Sequence, residues 1–449
     1  MRKAIPIALV LLFLVSSCLL SMPVKASSAL ENTWATKAHI PQAADGCKAA
    51  TVDGKIYVIG GSQNYQYDPA TDNWTVKAPM PTPRDFFGIA VYQNRIFTIG
   101  GYSRNGGNPI YALSTNEVYD PSTNTWETKS PLPTGRQYIQ ASVVNGEIYV
   151  IGGRTGGIKT TTAVNEVYNV ENDSWTTKAA IPYGVLGYAS AVCGGRVYVF
   201  GGLDEFLGPS SANVDFTQIY DPMNDSWSMG KPMPTLAEYA GAAATTGELA
   251  EERIYLIGGM GISNEHPFVR DTVQVYDPEN DTWNYGKPMP TARMWLTIAV
   301  VNDMLYVFSR YPICTNEQYF PLGYGSIPPK ISILYPTNCT ITNTSFLLQF
   351  VSNKQIQLSS YSLDGQLNVS IAGNTTLTGL SSGTHNITVY VNDNFGNVGK
   401  SETVTFGIAK PVEPLPTIVV IAVVLAVVIV VGVGLLYSRH LRGSKLQKS

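Results

Sequence analysis

One phrase recurs along the chain and limits it to very few folds. Five β-like apolar runs close on Gly-Gly, at Gly60-Gly61, Gly100-Gly101, Gly152-Gly153, Gly201-Gly202 and Gly258-Gly259, with Phe308-Ser309 in the sixth place. A Tyr-Asp-Pro turn follows, then a tryptophan, at Trp74, Trp126, Trp175, Trp227 and Trp283. A sixth, Trp34, precedes the first glycine pair. Successive pairs stand about 40 to 57 residues apart, which suits a four-stranded sheet and is too long for a leucine-rich or helical repeat. Glycine without a Cβ permits positive φ and close backbone approach at a strand end. Proline after Asp fixes φ for a tight hairpin, and each tryptophan brings apolar surface to fill the wedge between neighbouring sheets.

The repeat also predicts how a ring would close. The sixth unit supplies strands around Trp295 to Val300, Met304 to Phe308 and Asn316 to Phe320, but no tryptophan strand. Glu31-Asn32-Thr33-Trp34, at the other end, parallels Asn280-Asp281-Thr282-Trp283. Pairing the two ends would remove exposed sheet edges. In the second unit the phrase reads Ile96-Phe97-Thr98-Ile99-Gly100-Gly101, then Asn116-Glu117-Val118-Tyr119-Asp120-Pro121, then Trp126, and it resembles the kelch motif over about residues 30 to 328. Unit three departs from it with Tyr168-Asn169-Val170, and unit six lacks the glycine pair. The resemblance implies an all-β chain whose residues 27–328 form a six-bladed kelch β-propeller closed by an N-terminal strand.

The ends predict an address. Of 449 residues, 44% are hydrophobic and only 14% charged, and a net charge of -3 gives no reason to expect nucleic acid as a partner. Residues 1–26 have the charged start, apolar middle and small-residue exit of a signal peptide. Val15-Ser16-Ser17-Cys18 also resembles a lipoprotein box, but its cysteine lies inside the apolar run. Residues 417–437 are long and apolar enough for one transmembrane helix. The basic tail 438–449, with Arg439, His440, Arg442, Lys445 and Lys448, is expected in the cytoplasm and the N-terminal ectodomain outside, a single-pass protein of the cell membrane. The Pro-rich linker 410–416 is expected to be stiff.

Residues 329–409 carry short alternating runs that predict a β-sandwich. The stretch from Gly383 to Asn397 resembles the last hairpin of Ig-like domains on prokaryotic cell surfaces. Asn392, Asp393 and Asn394 read as turn residues before calcium ligands. Sequons at Asn338, Asn343, Asn368, Asn374 and Asn386 read as a glycan coat; those at Asn73, Asn172, Asn224 and Asn280 fall in blade turns, where asparagine is equally a turn residue. Cys47 and Cys193 belong to opposite sides of the ring and are not expected to pair, whereas Cys314 and Cys339 flank the junction and are expected to form a disulfide. No CxxC or Cys/His cluster exists, so neither a metal nor another cofactor is expected.

Function should then lie on a propeller face. The connections after the glycine pairs are long and varied, Tyr102 to Thr115, Arg154 to Asn165, Leu203 to Gln218 and Met260 to Thr272, and long loops gathered on one face mark a binding surface. The segments leading into the blades carry Arg84, Arg136 and Arg293, against Ala44, Val185 and Ala237 in the others; two residues on stand Phe86, Tyr138, Tyr239 and Trp295. The kelch resemblance implies arginines around the channel mouth, where guanidiniums can grip carboxylates and aromatic faces can stack on sugars. The competing reading has the arginines bonding rim carbonyls and the aromatics packing between inner strands. Some kelch-type propellers are copper oxidases or sialic acid epimerases, but this one has only His39 and His266 as imidazoles, too few for copper. Asp85, Asp204, Glu205 and Glu238 are expected on the loop face with nothing to pair them. The expectation is a non-enzymatic surface protein that binds an extracellular protein or acidic glycan. The alternatives are a carbohydrate-active enzyme of the epimerase kind and a structural envelope component.

Overall fold

Blade two shows why the phrase folds as it does. Gly88–Tyr92, Arg95–Ile99, Asn116–Asp120 and Thr125–Thr128 pair in sequence order as one antiparallel sheet. At the end of its second strand Gly101 has a φ of 96°, and a Cβ there would lie 2.7 Å from the Asp85 carbonyl oxygen, so a side chain would block the strand that leads into the blade. In the last hairpin Asn124 takes a left-handed φ of 56° and turns its side chain inward. Its Oδ1 accepts the Tyr119 hydroxyl at 2.7 Å and the Ala78 N–H at 2.8 Å, while Trp126 Nε1 donates to the Ala78 carbonyl at 2.9 Å. Tyrosine, turn residue and tryptophan thus act as one staple that ties each blade to the segment before it.

The computed structural model describes residues 30–42, 46–103, 111–157, 159–206, 212–263, 266–309, 314–410 and 417–445. The expected signal peptide therefore lies outside the described residues, as do all of the linker but Lys410 and the last four residues of the tail. Among the described residues of the first unit, Met1–Ile327, six four-stranded sheets follow one another, and the staple recurs in each. Asp72, Asp173, Asp225 and Asp281 take the place of Asn124 in blades one, three, four and five. The sixth sheet is Thr297–Val301, Met304–Ser309 and Thr315–Phe320, with Thr33–Thr36 antiparallel to the last of these and Trp34 opposite Tyr319. Its staple spans the two ends of the domain: Tyr319 donates to Asn32 Oδ1 at 2.7 Å, and Trp34 Nε1 donates to the Lys287 carbonyl at 2.9 Å.

The innermost strands lie against one another round the ring, the sixth against the first. Apolar clusters fill the wedges between sheets. Ile56, Val58 and Tyr67 of blade one share a core with Ala299, Tyr306 and Phe308 of blade six. Two of the long connections fold back as small hairpins, Leu203–Asp204 with Ala212–Asn213 and Met260–Ser263 with His266–Val269.

The second unit, Pro328–Ser449, holds a two-sheet β-sandwich and one helix. Ile331–Tyr335, Phe346–Ser352 and Thr375–Leu377 form one sheet. In the other, Thr340–Ile341, Val404–Ile408, Gly383–Asn392, Leu358–Leu363 and Val369–Ile371 lie in that order, with Val398–Lys400 beside Gly383–Asn392. Along Phe346–Ser352 the buried Phe346, Leu348 and Phe350 alternate with exposed residues, and they meet Ile387, Val389, Val391 and Phe406 in one core. Asp393 Oδ1 accepts the N–H groups of Phe395 and Asn397 at 2.9 and 3.0 Å, the geometry of an Asx turn. The five sandwich sequon asparagines are all exposed.

The expected disulfide is corrected: Cys314 and Cys339 are not joined to one another. Cys314 packs against the core shared by blades six and one, and Cys339 against the sandwich core, so each thiol is committed to its own unit. Within the helix Thr417–Lys445 the span Thr417–Arg439, 23 residues and about 34 Å at a rise of 1.5 Å per residue, is long and apolar enough to cross a hydrocarbon core.

Candidate functional site

The three arginines stand at the head of blades two, three and six, and all are fully buried. Arg84 donates to the carbonyls of Gly100, Thr82 and Thr98 and to the Thr98 hydroxyl at 2.7 to 3.0 Å, and it pairs with Glu117. Arg136 pairs with Glu166 at 2.7 Å and donates to four more carbonyls, and Arg293 pairs with Glu317. Burial lowers all three guanidinium pKa values, that of Arg293 to about 10, while the glutamate partner opposes the fall. With the forks of Arg84 and Arg136 spent on carbonyls and a buried carboxylate, and that of Arg293 on Glu317, the Thr315 hydroxyl and the Met289 sulfur, the expectation that these arginines grip an external carboxylate is corrected. They fasten the second and third strands of a blade to the segment that leads into it.

Sequence reasoning missed the glutamates. Glu117, Glu166 and Glu317 occupy one position of the third strand, and Thr82, Thr134 and Thr291 donate to their second oxygens at 2.7 to 3.0 Å. Where the arginine is replaced by Val185 or Ala237, the strand carries Gln218 or Gln274 instead. These amides exchange hydrogen bonds with the backbone of Tyr183 and Thr235 at 2.9 to 3.1 Å. Reading the arginine column and the third-strand column together, blade by blade, would have exposed the pairing.

Two residues beyond each arginine position, the chain lines the loop-side mouth of the central channel. Phe86, Tyr138, Tyr239 and Trp295 all take left-handed φ values of 52° to 57°, and glycines stand in the same place in blades one and four, Gly46 and Gly187. Backbone bonds run from one to the next, from Phe86 N–H to the Gly46 carbonyl and on to Trp295 N–H on the Tyr239 carbonyl, at 2.7 to 3.3 Å. A Cβ on Gly187 would lie 2.4 Å from the Tyr239 ring and one on Gly46 2.6 Å from Phe86, so each glycine leaves room for its neighbour's ring. The four rings close on one another, with centroids 4.5 Å apart for Phe86 and Tyr138, 5.8 Å for Tyr138 and Tyr239, 5.9 Å for Tyr239 and Trp295, and 6.1 Å for Phe86 and Trp295. They form a lid of aromatic edges and faces across the mouth.

Around this lid the acids serve different ends. Asp85 accepts the Gly61 N–H at 2.9 Å, Asp204 accepts the Phe206 N–H at 2.8 Å, and Glu205 holds Thr160 and Thr161 while lying 3.7 Å from Arg154. Glu238 is buried beside Tyr239; burial pushes its carboxyl up to about 7, against a hydrogen bond from Tyr239. Among the described residues no three His, Cys, Asp or Glu side chains converge as a metal site would require. The same face exposes Tyr111, Phe206 and Phe268 on the long connections, with Tyr183, Leu236 and Tyr285 at the blade junctions.

Comparison with known proteins agrees with this geometry. The family model described as the KLHDC2/KLHL20/DRC7 kelch-repeats domain matches residues 24–202 and 114–309. Kelch-like protein 35 of Mus musculus is 26% identical over 186 residues, which is 41% of this chain and 21% of that protein. Alpha-scruin of Limulus polyphemus is 27% identical over 215 residues, 46% of this chain and 22% of that protein. The chain thus spans about a fifth of the length of these curated relatives. Among solved structures, that titled "Structure of YjhT" superposes with a TM-score of 0.55 at 17% identity, covering 63% of this chain and 96% of the other, a likeness of fold.

Proposed function

Because this chain belongs to the kelch-repeat family, whose domains bind protein partners, we propose that its propeller is a non-enzymatic interaction module that holds an extracellular protein on its loop face. The observation that carries this reading is the belt of Tyr111, Tyr183, Phe206, Leu236, Phe268 and Tyr285, each between 41% and 69% exposed on that face. Interface centres are enriched in aromatic side chains, which bring much contact area at small conformational cost. The burial of Arg84, Arg136 and Arg293 against glutamates favours a protein over an acidic glycan. The apolar helix Thr417–Arg439 supports a single-pass anchor in the cell membrane. Basic residues after it favour a cytoplasmic C-terminus, with the propeller and an Ig-like, glycosylated sandwich outside.

A photo-crosslinking amino acid placed in the full chain at Phe206 or Phe268, and at Asn94 or Asn145 on the opposite face, tests the reading on living cells. Crosslinked species from the first pair alone are expected. None from either pair, or equal yields from both, would reject a loop-face partner. A second reading, carbohydrate chemistry, rests on Glu238, whose carboxyl, raised to about 7, suits a general acid or base. Sugar mutarotation by the full chain that Glu238→Gln abolishes would replace the first reading with this one.

A further inference from the structure

Below the aromatic lid, among the described residues, the channel wall holds one buried ammonium group. Lys48 opens the innermost strand of blade one and is 91% buried. Its Nζ donates to Gln140 Oε1 at 3.0 Å, and among the described residues no carboxylate stands within ion-pair distance of it. An ammonium has three protons to place, so one neutral acceptor leaves two of them unanswered. The surrounding wall is polar but uncharged. Gln140 Nε2 is turned to the Tyr188 carbonyl at 3.3 Å, and Ser142 and Ser190 share a hydrogen bond at 3.2 Å. Thr297 Oγ1 accepts the Ala49 N–H at 2.9 Å, which leaves its own proton to give. Small residues, Ala49, Ala141, Gly241 and Ala242, keep the bore open at this level.

A cation taken out of water without a counter-charge is costly, and two remedies exist: loss of the proton, or an anion beside it. The first is partly in force, since burial pulls the Lys48 ammonium down to about 8, a fall that a charge on Cys47 would oppose. At neutral pH the group is still mostly charged. The other titratable groups on the wall of the mouth are the Cys47 thiol and the phenols of Tyr138, Tyr188 and Tyr239; burial holds Tyr188 up at about 12 and raises Tyr239 as well, so neither of these two phenols supplies a negative charge near neutrality.

We infer that the central channel carries a binding site for one small monovalent anion, a halide or a short carboxylate, held by Lys48 Nζ and the hydroxyl donors of Ser190 and Thr297. The site is independent of any partner on the loop face, because the lid lies between them. Crystals of the full chain soaked in sodium bromide should show anomalous density within hydrogen-bond distance of Lys48 Nζ. In solution, melting of the detergent-solubilised chain is followed as bromide or acetate replaces gluconate, a much bulkier anion, at constant ionic strength. A saturable rise in Tm is expected at pH 6.5, with a weaker one at pH 9.5 where the lysine is neutral, and Lys48→Met should abolish both. A response to bromide alone would restrict the site to halides, and one to acetate would admit carboxylates. No ordered bromide, together with melting that responds equally at the two pH values, would overturn the site, and it would do so even if Lys48→Met failed to fold.

Discussion

At the scale of single residues, the arginine column shows how one position can be solved in two ways within one molecule. Blades two, three and six use a buried Arg–Glu pair, and blades four and five use an uncharged residue with a glutamine that bonds the backbone. Removing one member of a buried pair leaves a stranded charge and typically costs about 3 to 5 kcal/mol. Arg136→Ala should therefore destabilise the propeller by about that much in denaturant unfolding. Arg136→Val with Glu166→Gln, which installs the blade-four solution in blade three, should recover most of the loss; a double variant no better than the single one would contradict the pairing argument. Glu238 gives a second prediction, of opposite sign. Its folded pKa of about 7 lies above the ordinary value of 4.5, so folding favours the protonated carboxyl. The stability this supplies is complete below about pH 4.5 and lost as pH rises through 7. Glu238→Gln, always neutral, should then melt higher than the unaltered chain at pH 8 and equal it near pH 4. The arginines were visible as a column in the sequence, but their role was not, because exposure depends on what stands opposite and the glutamates lie 24 to 33 residues further along.

At the scale of elements, the blade was legible because each part of its phrase answers a local backbone demand. Glycine stands where a Cβ would strike a carbonyl, and Tyr119, Asn124 and Trp126 meet around one peptide group of the preceding segment. Such demands are written within a few residues and repeat. The aromatic lid was legible only as a column: that its rings close on one another follows from the left-handed φ of each and from glycines at Gly46 and Gly187. The expected Cys314–Cys339 disulfide failed for the same kind of reason, since closeness in sequence says nothing about which core takes each side chain. The staple that joins Asn32 and Trp34 to Tyr319 and Lys287 leads to a third prediction. Replacing Asn32 and Trp34 together with alanine removes two of the contacts that hold Thr33–Thr36 on Thr315–Phe320. The freed edge would offer unpaired backbone groups to another chain. Light scattering should show concentration-dependent association of this variant under conditions where the unaltered chain is monodisperse, and a variant that stays monodisperse would mean the ring closes without the staple.

At the scale of the whole molecule, two units with separate cores follow one another along the chain, and the chemistry of each can be read in its own unfolding. The propeller core runs between blades, whereas the sandwich core lies between its two sheets. Each is large enough to unfold as a cooperative body, so calorimetry should resolve two transitions. The sandwich contains a titrating group that marks its transition. His385 is buried against Phe406, with Nδ1 2.8 Å from Asp364 Oδ2 and Nε2 2.9 Å from the Ser381 carbonyl, an arrangement that suits an imidazolium donating on both sides. Those two bonds, the backbone one first, raise its pKa above the usual 6.5. A raised imidazole pKa stabilises the fold fully below 6.5, and the stabilisation is lost as pH climbs through the folded value. The sandwich transition should accordingly fall in temperature between pH 5.5 and pH 8.5, and His385→Gln should flatten that dependence. Glu238 moves the propeller transition in the same direction, so a Glu238→Gln background separates the two. In that background, a pH-dependent shift confined to one transition and removed by His385→Gln identifies the sandwich. A shift that His385→Gln leaves unchanged would mean that the imidazole is neutral in the folded unit.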